Sequence, residues 1–107
     1  MNIKFNSGPR TLRAVIMLSL QNALLGEIDE NLRQVSVEWS EEEKRINIYF
    51  YYQGEISEEN CSSANCIGGM VSGDFDEDTE VVENCIRLDA PEDIPQHMDI
   101  AYLRKEL

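Results

Sequence analysis

Apolar and polar positions divide the 107-residue chain into alternating helical and strand-like stretches. From a Ser7-Gly8-Pro9 start, Leu12, Val15, Ile16, Leu20, Ala23 and Leu24 recur at the three-and-four spacing of one buried helix face. Met17 and Leu18 widen that stripe, so the helix is expected to pack on more than one side. It is expected to reach about Leu25, with Gly26 as its C-terminal cap. The pattern then changes to period two. Val35, Val37 and Trp39 alternate with Ser36, Glu38 and Ser40, and after a polar turn at Ser40 to Lys44 the residues Ile46, Ile48, Phe50 and Tyr52 alternate with Asn47, Tyr49 and Tyr51. This predicts a hairpin ending at Gly54.

A second helix is predicted from Ser57, whose hydroxyl suits the free N–H groups of a first turn and whose followers Glu58 and Glu59 suit the positive end of the helix dipole. Ile56 and Cys61 are placed to form a hydrophobic staple around the cap. Ala64, Ile67 and Val71 continue the buried face. Gly68 and Gly69 each cost roughly 1 kcal/mol against Ala inside a helix; continuation past them to about Ser72, capped by Gly73, is the reading adopted. Phe75 anchors the following acidic loop on the core. Val81 to Asp89 predicts a third strand with Val82, Ile86 and Leu88 inward, and Met98, Ile100 and Tyr102 a fourth, joined by a Pro91- and Pro95-containing loop. Asn2 to Phe5 suits a short strand or an ordered tail. The order α-β-β-α-β-β predicts one α+β domain, a four-stranded, mainly antiparallel sheet with two helices packed on it. Two helices covering one face leave Tyr49 and Tyr51 on the other.

The length fits a single modest core, and an apolar fraction of 42% fits a globular chain. No apolar run reaches the roughly 18 to 20 residues of a membrane span, and no small-residue cleavage site follows the first apolar segment, so a cytoplasmic location is expected. Cys61, Cys66 and Cys85 are odd in number and form no CxxC pair, and the lone His97 has no metal-ligand spacing to them. They read as buried, reduced thiols acting as small hydrophobes. No metal or cofactor is implied. No Ser-His-Asp or Cys-His arrangement and no phosphate-binding glycine loop occurs, which argues against an enzyme.

Charge gives a sharper signal. Of 21 acids, twelve lie between Gly54 and Asp93 with a single base, Arg87, whereas the rest of the chain carries nine acids against eight bases. A concentrated negative field speeds encounter with a cationic partner and repels nucleic acid. The candidate partner-binding residues are Glu58 and Glu59 on the second helix, Asp74, Asp76, Glu77, Asp78 and Glu80 in the loop after it, and Tyr49 and Tyr51 as aromatic anchors. The run from Asp74 matches an EF-hand opening at positions one, three and five, but Thr79 stands at the glycine position and Cys85 at the closing glutamate position. A calcium module and an acidic adaptor with a non-toxin partner are the rival readings to the one that follows.

At Leu24-Leu25-Gly26-Glu27-Ile28, Asn31-Leu32-Arg33, Val35 and Val37, the chain resembles small acidic bacterial immunity proteins of the colicin and contact-dependent growth inhibition type. The likeness continues at Tyr52-Gln53-Gly54-Glu55-Ile56-Ser57-Glu58-Glu59, Asp74-Phe75, Ile86-Arg87-Leu88-Asp89-Ala90-Pro91-Glu92 and Tyr102-Leu103-Arg104-Lys105-Glu106, and so spans most of the chain from about residue 12. The resemblance implies a protein that binds a toxin domain delivered by a neighbouring cell and neutralises it stoichiometrically. Many such toxins are nucleases, a contact-dependent RNase of RNase A-like fold among them, and an acidic surface suits their cationic clefts.

Overall fold

The computed structural model describes residues 9–106; the expected strand or tail at Asn2 to Phe5 lies outside them. The elements are α1 (Pro9–Leu24), β1 (Leu32–Ser40), β2 (Arg45–Tyr52), α2 (Glu58–Asp74), β3 (Glu80–Arg87) and β4 (Asp99–Leu103), the predicted α-β-β-α-β-β order. The strands form one four-stranded sheet in the order β3-β2-β1-β4. β1 pairs antiparallel with β2 and with β4, while β2 and β3 run parallel, so the sheet is mixed. Parallel neighbours need a long crossover, and the 17 residues of α2 supply it.

The core lies between the helices and one sheet face. Leu12, Ile16, Leu20, Ala23 and Leu24 of α1 and Ala64, Ile67 and Val71 of α2 meet Val35, Val37, Ile46, Ile48, Phe50 and Tyr52, with Phe75 sealing the cluster from the loop as expected. Met17 packs partly against this core, whereas Leu18 is 60% exposed, so α1 widens its buried stripe on one side only. Gly26 closes α1 in the left-handed region (φ +79°), where a side chain would be strained. Ser57 caps α2: its Oγ accepts from the Asn60 amide at 3.1 Å, and the Asn60 Oδ1 accepts from the Ser57 amide at 3.0 Å.

Two details differ from the periodic reading. β3 is out of phase with it: pairing sets Val81, Glu83 and Cys85 beside Ile46, Ile48 and Phe50 on the helix side, and Val82 and Ile86 beside Asn47 and Tyr51 on the other. Secondly, α2 runs through Gly68 and Gly69 as expected but continues past Ser72 to Asp74, with Phe75 and not Gly73 as its cap. At Gly68 an added Cβ would sit 2.3 Å from the Glu83 Cδ and would displace that side chain. The missing side chain makes room for the Glu83 carboxyl under the helix, where burial raises its pKa.

The opposite sheet face is crossed by the connection from β3 to β4, residues 88–98, because those strands lie at opposite edges. Arg33 holds this strap. It is the extra residue where the β1–β2 register shifts between Leu32 and Gln34, and such a bulge re-aims its side chain. The guanidinium is buried. It donates to both carboxylate oxygens of Glu106 (2.7 and 2.9 Å), to the Leu88 carbonyl (2.5 Å) and to the Glu92 carbonyl (3.1 Å). Gly54 donates its N–H to Asp89 (2.7 Å) and Ala90 donates to the Gln53 side chain (2.8 Å) at the same end.

Gly69 has no neighbour within 4 Å of an added Cβ. Gly69→Ala is therefore expected to raise stability by about 0.5–1 kcal/mol in chemical denaturation. Gly68→Ala is expected to yield no such gain unless combined with Glu83→Ala. A second expectation concerns pH. Hydrogen bonds from Arg33, and then from Arg104, hold the Glu106 pKa down to about 2. A depressed carboxylate stabilises the fold fully above its unfolded pKa and loses that contribution as pH falls toward the folded one. A carbon-detected NMR titration should place the Glu106 midpoint near 2 in the native protein and raise it in Arg33→Met, short of the ordinary glutamate value of about 4.3 because Arg104 still donates to it.

Candidate functional site

The candidate acids divide between the two ends of α2. Glu58 and Glu59 lie exposed in its first turn. At 1.5 Å per residue, a 17-residue helix puts Asp74 about 25 Å away. One compact patch combining Glu58 and Glu59 with the loop acids is thus not formed.

Within the loop the acids have different tasks. Asp74 is half-buried and accepts from the Ser19 hydroxyl at 2.7 Å, tying the end of α2 to α1. Asp76 accepts from the Thr79 hydroxyl at 2.8 Å and its carbonyl from the Thr79 amide at 3.1 Å, shaping the turn. Glu77 is exposed and makes no ion pair among the described residues. Asp78 lies 3.7 Å from the Lys44 Nζ, and Glu80 takes a hydrogen bond from the Arg45 Nε at 2.6 Å. The Asp74, Asp76 and Asp78 carboxylates thus serve three separate partners.

Lys44 ends the β1–β2 turn and Arg45 begins β2, and the turn brings Glu41, Glu42 and Glu43 to the same end. The Glu80 amide donates to the Lys44 carbonyl at 2.8 Å, and Arg45 also donates to Glu43 at 2.6 Å. One end of the molecule therefore carries six exposed carboxylates, Glu41, Glu42, Glu43, Glu77, Asp78 and Glu80, around two bases, Lys44 and Arg45. The neighbouring Glu80 carboxylate raises the Arg45 pKa. The charge count along the chain misses Glu41 to Glu43, because they lie outside the acidic stretch; only their place at a hairpin tip marks them as exposed.

Tyr49 and Tyr51 lie on the face away from the helices, as the alternation predicts, but under the strap. Tyr51 is 2% exposed, and its hydroxyl meets His97 Nε2 at 2.5 Å. The His97 ring stacks on Tyr49, with centroids 4.0 Å apart and planes 13° from parallel, and its Nδ1 meets Glu38. Desolvation raises both tyrosine pKa values. Tyr51 is therefore withdrawn from the surface, and Tyr49 keeps only part of its ring for a partner. His97, with both nitrogens engaged and one ring face covered, locks the strap to the sheet.

The cysteines also differ from expectation. Cys61 and Cys66 are exposed free thiols on the outer flank of α2 and Cys85 is half-buried on β3. Cys61 shares an open groove of about 640 Å³ with Ile56, Glu58 and Cys66, so the expected staple partners line one depression and do not seal a cap. Among the described residues no group of three or more His, Cys, Asp or Glu side chains is arranged to hold a metal ion, and no helix is long and apolar enough to cross a membrane.

No curated protein matches the chain. A family model described as MafI2 immunity protein matches residues 13–106, nearly the whole described chain and the same span over which the sequence resembles immunity proteins. The chain belongs to the MafI2 immunity protein family, a non-enzymatic protein that neutralises a cognate toxin of the MafB family.

Proposed function

We propose that the cognate toxin is a basic nuclease, of RNase type, and that this protein inhibits it in the cytoplasm by placing an acidic surface over its cationic cleft. The observation that carries this reading is the turn end of the molecule. Six carboxylates from two chain segments surround two bases there, and both bases already serve neighbouring acids. Nuclease clefts hold phosphates with Lys and Arg; a rigid group of carboxylates competes for the same donors and excludes RNA. Glu77 and Asp78, both exposed, are assigned to direct pairing with the toxin, and Glu80 to orienting them through Arg45. Glu58 and Glu59 form a second acidic point at the far end of α2. Asp74 and Asp76, engaged with Ser19 and Thr79, shape the loop and do not reach the partner.

Charges at a rim act mainly on the association rate. A Glu77→Lys, Asp78→Lys variant is therefore expected to slow association with the MafB-family toxin about tenfold at low salt and to flatten its salt dependence, measured by stopped flow. Glu58→Lys, Glu59→Lys is expected to have the smaller effect. Immunity in co-expression, retained with unchanged rates in both variants, would refute acidic occlusion while leaving the protein an immunity protein.

A further inference from the structure

The two edges of the sheet are defended unequally. β4 is five residues long and carries a bulge where the register shifts between Val35 and Ser36. Its Ala101 carbonyl accepts from the Gln21 side chain of α1 at 2.6 Å, and Arg13 clamps Asp99 with bonds of 2.6 and 2.8 Å. Short length, a bulge and side-chain cover are the usual means of closing an edge. Among the described residues β3 has none of them. It runs eight residues in unbroken register with β2 and contains no proline and no lysine. Its residues from Val81 to Ile86 are all half-buried, as a strand with one free side should be.

The orientation of the β3 amides follows from its two ends. The Glu80 amide donates to the Lys44 carbonyl and the Leu88 amide to the Tyr52 carbonyl, both toward β2. Backbone polar groups alternate along a strand. Val82, Asn84 and Ile86 therefore also face β2, and Val81, Glu83, Cys85 and Arg87 present their N–H and C=O groups outward, with the Glu83 N–H donating to its own carboxylate. On the helix side the edge is continued by the flank of α2, since Gly68 abuts Glu83. Cys61 lines the open groove with Ile56 and Cys66, which give it apolar walls, and Glu58, which gives it charge.

We propose that β3 is the recognition edge, and that the toxin adds one of its own strands there. Main-chain bonds to Val81, Glu83, Cys85 and Arg87 form the ladder, and alternate side chains of the added strand enter the α2 groove. The inference rests on the toxin-neutralising reading above and names its docking surface. The occupant is a strand bearing cationic side chains. Glu80 and Glu83 belong to the edge strand and Glu58 lines the groove, while the strand's one base, Arg87, is held by Asp89 at 3.1 Å. A second copy of this chain fits poorly, since each copy carries a net charge of −12.

Residue-resolved amide hydrogen exchange on the wild-type protein, alone and in complex with its MafB-family toxin domain, tests this. The Val81, Cys85 and Arg87 amides are expected to exchange fast in the free protein and to slow by about 100-fold or more in the complex, while Val82, Asn84 and Ile86 are slow in both. A complex that forms without slowing these three outward amides overturns the edge assignment and leaves the toxin reading standing. Absence of any complex removes the toxin reading and this inference with it. Slowing in the free protein that grows with concentration makes the occupant a second copy and overturns the toxin strand.

Discussion

One buried guanidinium sets the shape of the face that the helices leave open. Arg33 is 3% exposed, and a charge so placed is tolerated only when its donors are met. The bulge in β1 takes the side chain out of the regular alternation, and two segments distant in sequence supply the acceptors: Leu88 and Glu92 from the strap and Glu106 from the tail. The Arg33 carbonyl also receives the Arg104 amide at 2.8 Å. Removing any one of these contacts leaves a buried donor unmet, at a cost of about 1–3 kcal/mol. The strap is thereby fixed across β1 and β2, and with it the stacking of His97 on Tyr49 and the burial of Tyr51.

The stretches that resemble immunity proteins converge on this knot. Asn31-Leu32-Arg33, Tyr52-Gln53-Gly54, Leu88 to Glu92 and Arg104 to Glu106 are separate along the chain but share one end of the sheet through the Arg33, Gln53–Ala90 and Gly54–Asp89 bonds. Asn31 and Asn60 add a reciprocal pair at 2.9 Å that ties the loop after α1 to the cap of α2. The resemblance therefore tracks the framework more than the exposed acids of the turn end, of which Glu41, Glu42, Glu43, Glu77, Asp78 and Glu80 carry no part of it.

Element order, both helices and the β1–β2 hairpin were legible in the chain because each buries one face and repeats with a clean period. The phase of β3 was not. An edge strand half-buried on both sides shows no clear alternation, and a reading by hydropathy takes Val82, Ile86 and Leu88 as inward while the structure turns Val81, Glu83 and Cys85 toward the helices. A carboxylate on the helix side is acceptable only because Gly68 leaves space for it, a contact between residues on two elements that no local pattern carries. Parallel pairing of β2 and β3 was equally hidden, since element order does not say beside which strand a crossover returns. The same limit applies to the candidate site. Adjacency along the chain grouped Glu58 and Glu59 with the loop acids, which a helix then separates, and left out Glu41 to Glu43, which a turn brings in.

Charge and edge complement one another in the proposed complex. Exposed carboxylates act at long range, but water and salt weaken them at contact, and an exposed pair is worth less than about 1 kcal/mol. Steering alone would give fast and short-lived encounters. A strand ladder is the reverse: it acts only at contact, is indifferent to side-chain identity and governs dissociation. The turn end holds Glu80 at the first position of β3, so the acidic group and the open edge begin at the same residue. A basic strand drawn to Glu77 and Asp78 therefore arrives at the start of the ladder, and docking can proceed along β3 toward Arg87 without a second search of the surface.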